Sequence, residues 1–202
     1  MQHAFRFCSL LLALALMAAI GPATARAEII LALDGPSGPL LPGESFSVDV
    51  LLLESGGSVL TSDGIFAASF QVAWSNATLD ATTLNPGFDI TSVTPSSGSV
   101  VIDLLAFFAG AVFPEAATPE KLLLGSLTFT AGGPGTIVIT AGVADPALDN
   151  FVTGSGVVLD DEVGQASLRL QSVPEPASAM LLALGLAAGL GRLRQLRRRR
   201  GA

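Results

Sequence analysis

The sequence predicts an all-β domain, a jelly-roll β-sandwich of about nine strands, set between two apolar terminal segments. Three observations predict it. Residues 28–172 break into short runs rich in Val, Ile, Leu, Phe and Thr, separated by clusters of Gly, Pro, Ser and Asp. Several runs alternate apolar and polar residues with period two, the pattern of a half-buried strand. None sustains the 3.6-residue apolar period of an amphipathic helix. Many short strands with regular turn signals pack as a sandwich.

The elements follow in order. A first strand covers 28–33 and ends at Asp34-Gly35-Pro36-Ser37-Gly38-Pro39; 40–42 adds a short bridging piece. Residues 44–53 alternate at Phe46, Val48, Val50 and Leu52, and Gly56-Gly57-Ser58 loops out. Residues 64–74 alternate at Phe66, Ala68, Phe70, Val72 and Trp74. That alternation assigns Trp74, the only Trp, to the core in preference to a sugar-stacking platform. Leu79, Leu84 and 88–93 mark shorter pieces. Pro95-Ser96-Ser97-Gly98 turns into 100–108, an apolar run whose one charge is Asp103. Residues 116–122 have room for one helical turn. The strand 122–131 places Leu123, Gly125, Leu127 and Phe129 on one face and Leu122, Leu124 and Ser126 on the other. Gly132-Gly133-Pro134-Gly135 turns it back into 136–143, and 167–171 closes the domain, with the first strand as its expected pairing partner.

Both termini are set apart from the fold. At the front, His3 and Arg6 precede an apolar stretch over 10–20, broken by Gly21-Pro22. Ala25 and Ala27 stand at −3 and −1 of a small-x-small cleavage site, so residues 1–27 read as a signal peptide and Glu28 as the mature start; Ala23-Thr24-Ala25 is a second candidate. At the back, Val173, Pro174, Glu175 and Pro176 form a stiff hinge, because Pro fixes its own φ and biases the preceding residue to extended geometry. An uncharged apolar helix is expected over about 177–191, some 22 Å long at about 1.5 Å per residue against about 30 Å of bilayer hydrocarbon. The stretch 192–200 is a basic stop of Arg192, Arg194, Arg197, Arg198, Arg199 and Arg200, whose stems can snorkel to recover part of the mismatch.

Hinge, apolar span and arginine cluster together resemble a PEP-CTERM sorting tail over residues 173–202. That resemblance implies an exported protein of a Gram-negative bacterium, processed by signal peptidase and by a membrane-embedded exosortase. It implies transit through the inner membrane and a final place at the cell surface or in an exopolysaccharide-bearing matrix. A plain C-terminal membrane anchor is the alternative. The domain 28–172 resembles a cohesin-like module, a fold shared with several carbohydrate-binding modules. The residues that carry the likeness are Gly43-Glu44-Ser45-Phe46-Ser47-Val48-Asp49-Val50, Phe70-Gln71-Val72-Ala73-Trp74-Ser75-Asn76-Ala77-Thr78-Leu79, and Leu123-Leu124-Gly125-Ser126-Leu127-Thr128-Phe129. Ser75-Asn76 replaces the usual Asp-Pro. These are core and turn positions, so they imply fold more than function.

Charge and absences narrow the chemistry. Residues 28–172 hold two cations, Lys121 and Arg169, against sixteen acids, a net charge of −14. Such a domain repels nucleic acid and anionic polysaccharide. The only Cys, Cys8, and the only His, His3, fall in the signal segment. That removes Ser-His-Asp and Cys-His chemistry and His- or thiolate-centred metal sites from the domain. Two oxygen-rich loops remain, Asp145 with Asp149 and Asn150, and Asp160-Asp161-Glu162. Calcium takes such ligands, but neither loop has EF-hand order, and both read as solvated turns. No catalytic residue, cofactor site or metal site is assigned. The expected role is a non-catalytic envelope or matrix protein, structural or adhesive, with a polysaccharide or another surface protein as partner. A carbohydrate-binding module is the alternative.

Overall fold

The computed structural model describes residues 28–174 together with Met180 and Leu181. The signal segment with Ala25 and Ala27 lies outside the described residues. So do Glu175, Pro176, the arginine stop and, apart from Met180 and Leu181, the 177–191 span. Met180 and Leu181 are helical and exposed. No helix among the described residues is long and apolar enough to cross a membrane.

Ten strands form two antiparallel sheets. β1 (Glu28–Asp34), β2 (Ser45–Ser55), β7 (Lys121–Ala131) and β4 (Ala77–Leu84) make the first, in the order β1-β2-β7-β4. β10 (Ala166–Ser172), β8 (Gly135–Val143), β3 (Ile65–Ser75), β6 (Ser99–Leu105) and β5 (Ile90–Ser96) make the second, in the order β10-β8-β3-β6-β5, with β9 (Phe151–Thr153) paired to the start of β3. The count is one above expectation because three residues, Phe151–Thr153, extend the second sheet beside β3. Within residues 28–174 the one helix is α1 (Val59–Ser62). Its first amides are taken by the buried carboxylate of Glu54, which accepts from Val59 N and, at 2.9 Å, from Leu60 N. Residues 116–120 make turns, closed by Thr118 N–H to Glu115 O and Lys121 N–H to Thr118 O.

The core lies between the sheets. Phe46, Val48, Val50 and Leu52 point inward from β2 and Phe70 and Val72 from β3, as their period-two pattern predicts. β7 departs from the expected faces. Its register against β2 shifts between Val50 and Leu51, whose partners are Gly125 and Leu123, so Leu124 is left without a partner. The extra residue changes the phase of the strand. Leu122 and Leu124 therefore join Leu127 and Phe129 in the core, and Leu123 is exposed. An aromatic cluster ties the two sheets together: Phe129 stacks on Phe46 at 5.6 Å and meets Trp74 at 5.5 Å with an interplanar angle of 64°.

β10 pairs with β8 and not with the first strand, Ala166 opposite Ala141 through Ser172 opposite Gly135. Leu40 bridges to Ser172 in parallel, which makes 40–42 the expected short connector. Each step from β10 through β8 and β3 to β6 is antiparallel, so β6 runs opposite to β10. One end of the sandwich thus holds the exit of β10 toward the tail. The other holds the connections 56–64, 85–89, 106–120, 144–150 and 154–165.

Candidate functional site

The loop end opposite the tail is the part of the molecule built with most polar detail. Its centre is residues 106–113, between β6 and β7. The sequence extends β6 to Phe108, but the strand stops at Leu105, and the reason lies in another connection. The Asp89 carboxylate accepts three successive backbone N–H groups, from Phe107 (3.1 Å), Phe108 (2.7 Å) and Ala109 (3.1 Å). Gly110 N–H closes the turn onto Ala106 O at 2.9 Å. Carboxylates bind such clustered amides tightly. The turn carries Phe107 and Phe108 outward, 59% and 83% exposed, in edge contact with centroids 5.2 Å apart and planes at 88°. Phe113, also exposed, lines a groove of about 550 Å³ with Leu51, Pro86, Val112, Leu123 and Lys121. Exposed Leu148 and Val157 sit on loops of the same end. Phe107, Phe108 and Phe113 are the exposed phenylalanines among the described residues.

The two oxygen-rich loops meet at this end. Asn150, 2% exposed, donates its side-chain amide to Asp145 O, Leu148 O and Asp160 Oδ2, each at 2.7 Å, and its Oδ1 accepts from Asp145 N–H at 3.1 Å. Asp160 also accepts Asn150 N–H at 2.8 Å and Phe151 N–H at 2.6 Å. The Asn150 and Asp160 oxygens that a cation would need are engaged in this clasp. Among the described residues no three His, Cys, Asp or Glu side chains come together as a metal-ligand group. A further clasp joins Ser155 Oγ to Asp63 Oδ2 at 2.5 Å. Hydrogen bonds from the Ser155 side chain, and next from that of Thr153, hold the Asp63 carboxyl below its ordinary range against a smaller opposing effect of burial.

At the other end the first residue after β10 is still bonded to the sandwich. Val173 donates its N–H to Leu40 O at 2.9 Å, and Leu40 donates its own to Gln171 O at 2.8 Å. Pro174 follows at once. Of the expected hinge, Val173 and Pro174 fall within the described residues, both exposed, and Glu28 of the expected cleavage site opens β1 opposite Ser55.

Residues 172–200 match the PEP-CTERM protein-sorting motif. The chain carries that motif. It indicates an exported protein sorted via the membrane, and it begins one residue inside the last strand. The sandwich is cohesin-like. It is similar to the cohesin module of a family 33 glycoside hydrolase from Clostridium perfringens ATCC13124, with 14% identity and a TM-score of 0.52 over 72% of this chain and 98% of the module. It is also similar to the sixth cohesin of scaffoldin B from Acetivibrio cellulolyticus, solved in complex with a Cel5 dockerin, with 16% identity and a TM-score of 0.51 over 71% of this chain and 99% of that one. At these identities the likeness establishes the fold. No curated protein matches the chain.

Proposed function

We propose that this PEP-CTERM protein is a non-catalytic component of the cell envelope or extracellular matrix of a Gram-negative bacterium. Signal peptidase removes residues 1–27, the inner membrane holds the chain in transit by its tail, and an exosortase acts at Val173, Pro174, Glu175 and Pro176. Its role is structural or adhesive, beside exopolysaccharide or another surface protein. The observation that carries this reading is the sorting-motif match over 172–200, joined without a spacer to a cohesin-like sandwich. The absence of His and Cys from residues 28–172 supports a binding role over catalysis.

Geometry adds a direction. A tail leaving β10 turns the opposite loop end, with Phe107, Phe108 and Phe113, away from the membrane. Arg192, Arg194 and Arg197 to Arg200 stay cytoplasmic by the positive-inside bias, which sets the hinge at the outer face of the inner membrane. The test replaces Pro174, Glu175 and Pro176 with Ala in a host that has its own sorting machinery. Insertion is retained, and a full-length form accumulates in the inner membrane. Equal processing and surface display of variant and parent would leave only a plain anchor.

A further inference from the structure

A second surface feature, at the tail end, is uncharged. A depression of about 400 Å³ opens where β3 leaves its sheet for β4, beneath the β5–β6 hairpin. Trp74, Ser75, Thr78, Leu79, Pro95 and Ser96 are among its lining residues, and no lining side chain is ionisable. Asn76 makes the crossing in a left-handed conformation, φ 55°, and its amide is engaged with Gly133 O at 2.9 Å. Gly132 fits beside it because a Cβ there would lie 2.5 Å from Asn76 Oδ1. Ser97 and Gly98, the latter at φ 75°, form the hairpin turn on the other side.

Trp74 packs against the core, as its alternation predicts, but is only partly buried and lines the depression. Its backbone N–H donates to Gly98 O at 2.9 Å and its ring packs on Phe129. Its indole N–H has no partner among the described residues and is not sealed from solvent by them. Ser75, Thr78 and Ser96, all exposed residues that carry a hydroxyl, line the same depression. An aromatic ring with a free donor, beside residues with hydroxyls that donate or accept, suits a ligand with apolar C–H faces and many hydroxyls. The lack of any lining carboxylate gives a cationic ligand no partner. The −14 charge of the domain repels an anionic one. A purely aliphatic ligand would cover the indole N–H and the hydroxyls without pairing them, which is costly.

We infer that Trp74, Ser75, Thr78 and Ser96 form a subsite for a neutral glycan. The inference deepens the surface-protein reading and rests on it for the ligand being extracellular. The site is open, so affinity is modest, with a Kd on the order of 0.1–1 mM, about 4–5.5 kcal/mol.

Trp74 is the only Trp in the chain, so intrinsic fluorescence reports this site alone. The full chain in zwitterionic detergent is titrated with neutral hexasaccharides (β-1,3-glucan, β-1,4-glucan, α-1,4-glucan and mannan) and with an alginate hexasaccharide. At least one neutral chain gives a saturable spectral shift matched by calorimetric heat, and alginate gives none. Thr78→Arg, at an exposed position, fills the depression without touching the core and weakens binding at least tenfold with an unchanged melting curve. The paired change Phe107→Ser and Phe108→Ser leaves binding intact. No response to any neutral chain overturns the inference, as does binding unaffected by Thr78→Arg or lost with the two phenylalanines. Tail processing is scored separately with the Pro174, Glu175 and Pro176 variant, so failure here leaves the sorting reading standing.

Discussion

Val173 and Leu40 are joined by a backbone hydrogen bond of 2.9 Å, so the first residue of the sorting hinge is still part of the folded sandwich. Leu40 is 3% exposed and anchors the connector that makes this bond. An enzyme acting at this hinge would therefore meet Val173 still bonded to a folded edge, and local opening of that edge would set access to it. Leu40→Ala removes a buried side chain, at a cost of about 2–5 kcal/mol if the site does not collapse. The connector should fray, and conversion of the full-length form should accelerate by a few fold. Pulse-chase labelling in the sorting host measures this. A rate equal to the parent's would mean that the clasp does not limit access.

The Asn150–Asp160 clasp gives a stability prediction and a calcium prediction together. Asn150→Ala leaves the Asp145 and Leu148 carbonyls and the Asp145 N–H without their side-chain partner, and takes one of two donors from Asp160 Oδ2, in a partly buried setting. Loss of such bonds costs about 1–3 kcal/mol each, less where water re-enters. A fall in the melting temperature of roughly 5–10 °C is expected for a domain of this size at about 2–4 °C per kcal/mol. Asn150→Asp should be no milder, since it sets a second carboxylate beside Asp160. Millimolar calcium should leave the parent's melting temperature unchanged, because Asn150 and Asp160 are already engaged with amides. A calcium-dependent rise would show a cation site in place of the clasp.

The sequence made the strand faces legible wherever one face alone was apolar. Phe46, Val48, Val50 and Leu52 alternate cleanly and lie in the core. Leu122, Leu123 and Leu124 do not alternate, so they hold no phase information, and the shift opposite Val50 and Leu51 was invisible. The closing strand was legible as a strand, but its partner depends on long-range packing, and β8 took it. At the loop end the missing information was again non-local. Asp89 looks like an ordinary turn acid, yet it ends β6 by capturing amides 18 to 20 residues away. Asn150 and Asp160 stand in two oxygen-rich loops of the sequence, but only the fold shows them bonded to each other.

Asp63 predicts a pH dependence. Its folded pKa lies below the ordinary carboxylate value, first through the Ser155 side chain and then through Thr153. The folded state therefore favours the charged form. The resulting stabilisation is full above the unfolded pKa of about 3.9 and is lost as pH falls through the lower folded value. Ser155→Ala should lower the melting temperature at pH 7, and by less at acidic pH as Asp63 becomes protonated. Melting curves at neutral and acidic pH check this. An equal deficit at both would assign the effect of Ser155 to packing instead.

Asp89 and the phenylalanine pair separate fold from surface function. Phe107 and Phe108 contribute little to the core, since both rings are mostly in solvent. Exposed apolar groups held in one place mark interaction surfaces more often than accidents of composition. Here three hydrogen bonds to one carboxylate hold the turn that presents them. Changing both to Ser should alter stability by no more than about 0.5 kcal/mol, as for other surface substitutions. Asp89→Ala should cost about 1–2 kcal/mol, because the carboxylate is exposed and water can replace it at the three amides. Under the adhesive reading the two variants share a phenotype although their stabilities differ. Each should be exported and processed like the parent, then wash more readily from the cell-surface fraction. Quantifying surface-retained and released protein after graded salt washes reads this directly. Retention equal to the parent's in both variants would remove the tail-distal loop end from the adhesive role and leave the contact surface elsewhere on the sandwich.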